Sequence, residues 1–540
     1  MSAPRPDLVA PAHSHSAGGA VFPAPGSPRS SSTPTVDDVG KGSYAHDDAP
    51  VIGNADFTWT DDEERRLVRK TDRNLMPVLW ALFMLSFLDR SNIGNAKTAG
   101  MTKDLGISDG KYQWLLTIFY IGYVLGTPSI LLWKRVPPHI LVSVLTLMWG
   151  GFALLQTAAK WEGLMVLRLF LGFAETAFAP GVTFYLSFFY NRREVGFRQG
   201  LYFGAAAIAS CYAGALAYGI TQIKNAAVPT WKILLLIEGA PAIPMSVVAF
   251  FFLPDRASKA RFLTPREREI ARLRTGGDGN TGREGGLKLK NVWEGVCDPK
   301  AYLTALIYFS ANVSYSSLPV FLPTILSEMG YSSIRAQGLS APPYLASFFV
   351  ILFVTWLSDR LGDRTILMIP LSLIGAVGYL ILALVETTGV RYFAIFLCAS
   401  GIFPVIGLAL PLTASMHEND SKRGAGFVLL NLIGQCGPFL GTRLYPAHEG
   451  PYYVKGMSIA CGFMFFVTLL ATTLRFVLVR ENRRRDALYG YVDPKARPAQ
   501  RVFSANEGER TGAHVGVAES AEAEKDLDSA EGAQTWRYLL

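Results

Sequence analysis

The sequence predicts an all-α membrane protein with twelve transmembrane helices in two six-helix halves. Three observations predict it. Half of the 540 residues are apolar and 17% are charged, a balance that points to a polytopic membrane protein rather than to soluble domains. The apolar residues gather into twelve stretches, each near the ~20 residues that cross a hydrocarbon core at ~1.5 Å per residue. A basic loop over 254–300 divides these stretches six and six.

In chain order, residues 1 to about 60 are rich in Pro, Ser, Ala, Gly and His and cannot bury a core, so 1–70 is expected to be a disordered cytosolic tail. No apolar stretch near Met1 resembles a secretory signal. The basic run Arg65, Arg66, Arg69, Lys70 and Arg73 immediately precedes the first span and places the amino terminus inside. The expected spans are 74–96, 112–133, 138–158, 163–189, 198–221 and 232–253, within an N-terminal half over 71–253. The C-terminal half, 301–480, carries 301–327, 338–357, 365–385, 392–414, 424–445 and 456–479, and a second cytosolic tail fills 481–540. Lys134/Arg135, Arg192/Arg193, Arg360/Arg364 and Lys422/Arg423 mark the inside loops, whereas outside loops such as 386–391 carry fewer cations. Both termini therefore come out cytosolic, and the plasma membrane is the expected location.

In the central loop, Leu263-Thr-Pro-Arg-Glu-Arg-Glu-Ile270 reads as a capped amphipathic helix, with Thr264 as N-cap and Pro265 in the first turn. The formal charge of +8 comes largely from basic flanks of the spans. Such flanks belong to cytoplasmic membrane surfaces, so no nucleic-acid partner is expected. Cys211, Cys297, Cys398, Cys436 and Cys461 lack paired spacing, and four of them lie in apolar stretches. They read as small packing residues, with no disulfide framework, metal site or cofactor.

The chemistry concentrates in two spans. Arg168-Leu-Phe-Leu-Gly172-Phe-Ala-Glu175 puts one arginine and one carboxylate inside the apolar segment from Gly163 to Tyr190. Seven residues make almost two turns, so Arg168 and Glu175 share a face, roughly 10 Å apart along the axis. In the first span the uncharged stretch from Asn74 to Leu88 reaches only ~22 Å of a ~30 Å core, so the helix must carry Asp89 and Arg90 inside the membrane. The two spans run in opposite directions, which brings all four charges to overlapping depths. A charge at that depth costs a few kcal/mol and therefore faces a partner or a wet cavity. Two readings stay open. One is a structural lattice, Asp89 with Arg168 and Arg90 with Glu175. The other is a binding and proton route, in which fixed cations hold an anion and titratable carboxylates carry protons.

Weaker candidates lie elsewhere. Tyr308, Asn312 and Tyr315 fall at i, i+4 and i+7 and make one polar-aromatic face of the seventh span. That face either lines a cavity opposite Arg168 or hydrogen-bonds between helices, worth roughly 0.6 kcal/mol on average. Tyr120 and Tyr123 in the second span read the same way. Glu238, about two turns into the sixth span, is titratable and reads as either a functional or a structural carboxyl. Arg443 near the outer end of the eleventh span is expected to snorkel to the headgroups. The Phe and Trp residues are expected to be mostly lipid-facing or interfacial.

Leu88-Asp-Arg-Ser-Asn-Ile93, Arg168-x-x-x-Gly172-x-x-Glu175, Trp231…Ile237-Glu238-Gly239 and Leu357-Ser-Asp-Arg-Leu-Gly-Asp-Arg364 resemble the anion:cation symporter family. This branch of the major facilitator superfamily includes sialin, the vesicular glutamate transporters and bacterial sugar-acid symporters. The resemblance covers about residues 65 to 490. The long tails and Asn482-Arg-Arg-Arg-Asp486 resemble its fungal allantoate, nicotinate and pantothenate permeases. It implies a major facilitator fold of two parallel repeats with the substrate site between them. By the resemblance, the residues matching Arg90 and Arg168 hold the anion, and those matching Asp89 and Glu175 carry protons. The superfamily's loop signature is recognisable at 355–364, with Thr355 in place of its first Gly, and implies a gate of Asp359, Arg360 and Arg364. The first half has Thr127-Pro-Ser-Ile-Leu-Leu-Trp-Lys134 at the corresponding place, without an Asp, so the latch is expected to be asymmetric. Where the family often has Gly-Asn in the eleventh span, this chain has Gly434-Gln435-Cys436-Gly437-Pro438.

The expected function is proton-coupled import of a small organic anion by a monomer in the lipid bilayer, with Tyr120, Tyr308, Asn312 and Tyr315 joining the arginines around the substrate. An exporter working by proton antiport is the main rival. The fifth span lacks the kinked Gly-Pro of drug antiporters, and Gly437-Pro438 in the eleventh reads as packing and a hinge. A nutrient sensor is a second rival, with tails too short to look like signalling domains. An enzyme is a third: of the seven histidines only His139 falls in a span, at its very edge, and no Ser/Cys/His constellation is visible.

Overall fold

The computed structural model describes residues 59–191, 194–223, 227–274, 289–416 and 420–489. The pair Arg192/Arg193 and the tails before 59 and after 489 lie outside the described residues. Every regular element among the described residues is a helix. Ten helical segments are long and apolar enough to cross a membrane. The other two of the twelve spans are Asp61–Thr98 and Asp109–Gly126, the latter continued by the 3-10 turn Thr127–Lys134. Their composition explains the difference. The first carries Asp89 and Arg90 deep in its length, and the second begins with Asp109 and Lys111 and holds three tyrosines.

Two boundaries differ from expectation. The first helix begins at Asp61, so 61–70 is helical rather than tail. Thr60 and Glu63 form a reciprocal capping box there, and Asp61 to Glu64 suit the positive end of the helix dipole. At the other end, Val454–Tyr489 runs beyond residue 480.

Three spans are broken. The fourth is Trp161–Glu175 then Phe178–Leu186, the sixth Thr230–Gly239 then Ala242–Phe252, and the eleventh Asp420–Gly434 then Gly437–Gly441. Pro180, Pro241 and Pro438 lie at or beside the first turn of the second pieces, where a missing N–H is tolerated. Each break adjoins a polar residue: Glu175, Glu238 or Gln435. At the first break, Trp133 Nε1 donates to the Ala177 carbonyl at 2.7 Å.

The halves meet along the fifth and eighth spans, the first and seventh, and the second and eleventh. At one end of this seam the Phe197 N–H donates to Asp359 Oδ2 at 2.6 Å. There Gly196 and Gly200 let Asp359 and Thr355 approach so closely that an added Cβ would lie 2.0 and 2.3 Å from them. At the opposite end Gln337 Nε2 donates to Thr98 Oγ1 at 2.8 Å, and its Oε1 accepts from Thr221 at 3.0 Å. The Thr117 and Thr442 hydroxyls meet there at 3.1 Å. The halves are in contact at both ends, with polar space between.

Each half also holds one helix of the central loop. Pro265–Arg274 is capped as expected: the Thr264 N–H donates to Glu267 Oε2 at 2.7 Å, and the Glu267 N–H returns a bond to Thr264 Oγ1 at 3.3 Å. It lies on the first helix through Lys70–Glu267 at 2.7 Å and Arg266–Glu63 at 3.0 Å. Leu289–Val296 instead joins the eleventh span through Lys422–Glu294 at 2.9 Å.

Candidate functional site

Two glycines bring the second and fourth spans together. A Cβ on Gly122 would lie 2.0 Å from the Leu169 carbonyl oxygen, and one on Gly172 would lie 2.0 Å from that of Phe119. Small residues permit such backbone contact between membrane helices. This accounts for Gly172 within the Arg168-to-Glu175 motif, and it sets the fourth span against the aromatic residues of the second.

Arg90 reaches into that junction. Its Nη2 and Nε lie 3.2 and 3.4 Å from Glu175 Oε2. Its guanidinium stands over the rings of Tyr123 and Phe119, with centroids 5.0 and 5.4 Å away. Glu175 is buried, and its Oε1 has no hydrogen-bond partner among the described residues. Arg168, 1% exposed, donates to two neutral oxygens, Asn92 Oδ1 at 3.0 Å and the Arg90 carbonyl at 3.4 Å.

The expected lattice is therefore half present. Arg90 pairs with Glu175, but Asp89 does not pair with Arg168. Asp89 is fully buried, and neither of its oxygens has a hydrogen-bond partner among the described residues. Adjacent residues diverge by ~100° around a helix, so one span cannot turn Asp89 and Arg90 to the same neighbour. Arg90 faces the fourth span, and Asp89 comes within electrostatic reach of Glu238 in the sixth as well as of Glu175 and Arg168.

Two adjoining pockets lie between the halves. One is lined by Arg90, Arg168, Phe119, Tyr120, Ser316 and Thr442 among others. The other is lined by Arg90, Ser91, Tyr120, Asn312, Tyr315, Ser316 and Gln435 among others. Of the expected substrate residues, Arg90, Arg168, Tyr120, Asn312 and Tyr315 line these pockets. Tyr308 lines neither, because its ring packs on Gly434, where a Cβ would meet it at 2.2 Å. Asn312 does both jobs foreseen for its face: it borders the second pocket, and its Nδ2 donates to the Gly434 carbonyl at 3.2 Å. Tyr315, Phe87 and Phe403 form an aromatic cluster with centroids 4.9 to 6.4 Å apart.

Ser316 and Gln435 are lining residues that the sequence reading did not assign. Ser316 stands four residues after Asn312, so the helical period contained it. Gln435 stands where the family often has Asn, and its side-chain amide has no hydrogen-bond partner among the described residues.

The gating residues divide. Asp359 bonds across the halves, as described. Arg360 instead lies over Trp356 of its own helix, 4.2 Å from the ring centroid. Arg364 is buried and donates to the Pro411 carbonyl, which ties the eighth-to-ninth loop to the tenth span within one half. Arg443 does not snorkel: its Nη1 donates to Gln113 Oε1 at 3.2 Å, across the halves, and it covers the Trp114 ring. Nor do all the large aromatics face lipid. Trp149 and Trp231 are fully buried, and Trp231 Nε1 donates to Asp104 Oδ2 at 2.9 Å. The indole N–H makes Trp231 a link to the short helix after the first span. Each of the five cysteines is a free thiol.

Two helical halves around an arginine-lined pocket are the arrangement of a multi-pass membrane transporter. The chain belongs to the Major Facilitator Superfamily, whose family model matches residues 79–442. It is 34% identical over 453 residues to the major facilitator-type transporter hxnP of Emericella nidulans, covering 82% of this chain and 91% of that one. It is 28% identical over 442 residues to the high-affinity nicotinic acid transporter of Saccharomyces cerevisiae, covering 80% and 83%. Solved structures show the same fold. The proton:xylose symporter XylE, bound to 6-bromo-6-deoxy-D-glucose, superposes with a TM-score of 0.60 at 11% identity, covering 74% of this chain and 96% of that one. A bacterial homologue of the human lysosomal transporter Spinster, inward-facing and unoccupied, gives 0.56 at 15% identity, covering 78% and 99%.

Proposed function

We propose that the protein imports a small organic anion together with protons, across the plasma membrane and with both termini in the cytosol. One observation carries this reading. Among the described residues, Arg168 is a buried cation whose hydrogen bonds go only to neutral oxygens, beside Arg90, whose partner is the titratable Glu175. Both arginines border the first pocket. A buried cation with no direct ion pair among the described residues favours an anionic ligand, and guanidinium forks pair with carboxylate through two parallel bonds. The likeness to a nicotinic acid transporter supports a carboxylate substrate.

In this scheme a proton on Glu175 releases Arg90, which then joins Arg168 in holding the substrate carboxylate. Loading neutralises the pocket and lets the halves rock about it. The seam opens at the Gln337 and Thr442 end to the outside and at the Asp359 end to the cytosol. Loss of the proton to the cytosol restores the Arg90–Glu175 pair and expels the anion. Asp359 supplies the latch on the cytosolic side.

The test is uptake of a labelled carboxylate panel, nicotinate included, at acidic and neutral external pH, with and without a protonophore. The expected result is accumulation of one acid that is stronger at acidic pH and lost with the protonophore. Glu175→Gln is expected to abolish pH-driven accumulation while sparing exchange. Normal accumulation in that variant would sink the coupling scheme. Net efflux from loaded cells, with no uptake of any acid, would favour an exporter.

A further inference from the structure

At the Asp359 end of the seam, the start of a helix in one half is held by a carboxylate of the other. The fifth span, Val195–Thr221, has Glu194 as its N-cap, yet the Glu194 side chain makes no capping bond. The first N–H groups of a helix have no partner within it, and an N-cap side chain ordinarily accepts from the second or third. Here the third, Phe197, donates to Asp359 Oδ2 at 2.6 Å from across the seam. Gly196 leaves room for this, since a Cβ there would lie 2.0 Å from Asp359 Oδ1.

Glu194 is the rival for that N–H, because a negative side chain at a helix start is favoured. Its backbone is fixed. Arg198 Nη1 donates to the Glu194 carbonyl at 2.7 Å, while Nε and Nη2 of the same guanidinium hold Asp72 at 2.6 and 2.7 Å. Only the side chain has a choice, and it is drawn away from Phe197. Its Oε2 accepts from the Asn191 N–H at 3.1 Å and from Arg274 Nη2. Arg274 ends the central-loop helix Pro265–Arg274, and its side chain is only 3% exposed. Its Nε also lies 3.5 Å from Glu64 Oε1, in the first turn of the first helix.

We propose that Arg274 is a positioning residue for the Asp359 latch: by holding Glu194 aside, it reserves the start of the fifth span for Asp359. This rests on the seam that the transport scheme opens at the Asp359 end, and extends it. With Arg274 in place, Glu194 and Asp359 have separate partners, and the halves stay closed here. With Arg274 withdrawn, the Glu194 carboxylate is left beside a helix start. There it competes for the Phe197 N–H and repels Asp359. Asp359 loses its hydrogen bond, and the latch opens. The central loop, through this helix, thus biases the face to which the pocket opens.

The experiment follows a single cysteine, Ser316→Cys, in the full-length chain without its native thiols. An impermeant maleimide labels it from the Asp359 face of membrane vesicles, with neither substrate nor a proton gradient present. Arg274→Ala is expected to speed labelling by about fivefold or more, the low end of couplings between sites. Arg274→Lys is expected to recover most of the original rate. Glu194→Gln keeps an oxygen for the Asn191 N–H but carries no charge. It is expected to leave the rate unchanged and to cancel the effect of Arg274→Ala. Glu194→Asp tests the competition with the buried arginine untouched. It is expected to speed labelling, because aspartate is a preferred N-cap residue and is one methylene too short to keep its hold on Arg274. In Asp359→Ala the latch is already lost, and Arg274→Ala is expected to add nothing.

A merely structural role for Arg274 predicts that its loss acts equally with and without Glu194→Gln. That result, or an unchanged rate in both Arg274→Ala and Glu194→Asp, would overturn the inference. If Asp359→Ala itself leaves labelling unchanged, the seam reading falls and the latch with it. The expected pattern in a protein that shows no proton-driven uptake would retain the latch and overturn the symport reading instead.

Discussion

The two halves share a fold but not a chemistry. Around the pocket the first half contributes Arg90, Arg168 and Glu175, with Asp89 and Glu238 buried behind them. The second half contributes Asn312, Tyr315, Ser316, Gln435 and Thr442, which carry no charge at neutral pH. The difference assigns the work. In the proposed scheme fixed charge and proton exchange belong to the first half, and shape and neutral hydrogen bonds belong to the second.

The sharpest way to break this comparison is to remove a cation from the first half. Arg168→Ala is expected to lower uptake of the anionic substrate by roughly 100-fold or more, the cost of deleting one partner of a buried charged contact. Arg168→Lys is expected to recover little, because a point charge does not reproduce the bidentate fork. Surface expression and binding of the labelled acid separate loss of affinity from loss of protein. If Arg168→Ala transports normally, charge recognition does not reside in this half.

Closure comes next in size. Gly200→Val puts a side chain where Thr355 already stands, 2.3 Å from the new Cβ. Overpacking of this kind typically costs ~1–3 kcal/mol, which moves a two-state equilibrium roughly 5- to 150-fold. The arrangement closed at the Asp359 end is the one penalised. A single cysteine introduced at Ser316, in a background without the native thiols, is expected to label faster from the Asp359 side in this variant. The Gln337→Ala variant acts at the other end of the seam and is expected to favour labelling from there.

The second half is tested with smaller effects. Gln435→Ala is expected to change the apparent affinity by about tenfold or less, since a neutral hydrogen bond contributes ~0.5–1.5 kcal/mol. Its larger consequence is a changed ranking among acids of similar size, read as ratios of kcat/KM across the panel. An effect as large as that of Arg168→Ala would erase the division between the halves.

Much of this was legible in the sequence because membrane constraints are strong. Twelve apolar stretches and a basic central loop left little choice of architecture, and the short uncharged run from Asn74 to Leu88 forced Asp89 and Arg90 into the bilayer. What the one-dimensional reading could not settle was rotation about each helix axis. Depth put all four charges at overlapping levels, yet rotation separated Asp89 from Arg168 and gave Arg168 to Asn92 instead. The same limit hid Arg443, whose depth suggested the headgroups but whose direction is toward Gln113. The breaks of the fourth and sixth spans were also missed, because an apolar run stays apolar through a break. Pro180 and Pro241 were the available signals in the fourth and sixth spans. Tyr308 shared the right period with Asn312 and Tyr315 but meets Gly434, a partner that only the packing reveals.

The smallest effect concerns how each half holds the central loop. Pro265–Arg274 is tied to the first half by Arg266–Glu63 and Lys70–Glu267, and Leu289–Val296 to the second by Lys422–Glu294. The Arg266 guanidinium, bonded to Glu63, holds that carboxyl below its ordinary value of 4.5, with the Thr60 N–H adding to the effect. A carboxylate whose folded-state value is depressed contributes stability that is present above the ordinary value and lost as pH falls through the depressed one. Because the pair is exposed, solvent and salt screen it. Arg266→Ala is therefore expected to lower Tm by no more than about 2 °C at neutral pH. That difference should shrink with added salt, begin to fall near pH 4.5 and vanish only once pH passes below the depressed value, where Glu63 is protonated in both proteins. Lys422→Ala, at the other loop helix, serves as the matched comparison. If the difference for Arg266→Ala persists unchanged into acid, the helix is held to the first half by packing of Ile270 and Ala271, both buried, rather than by its charges.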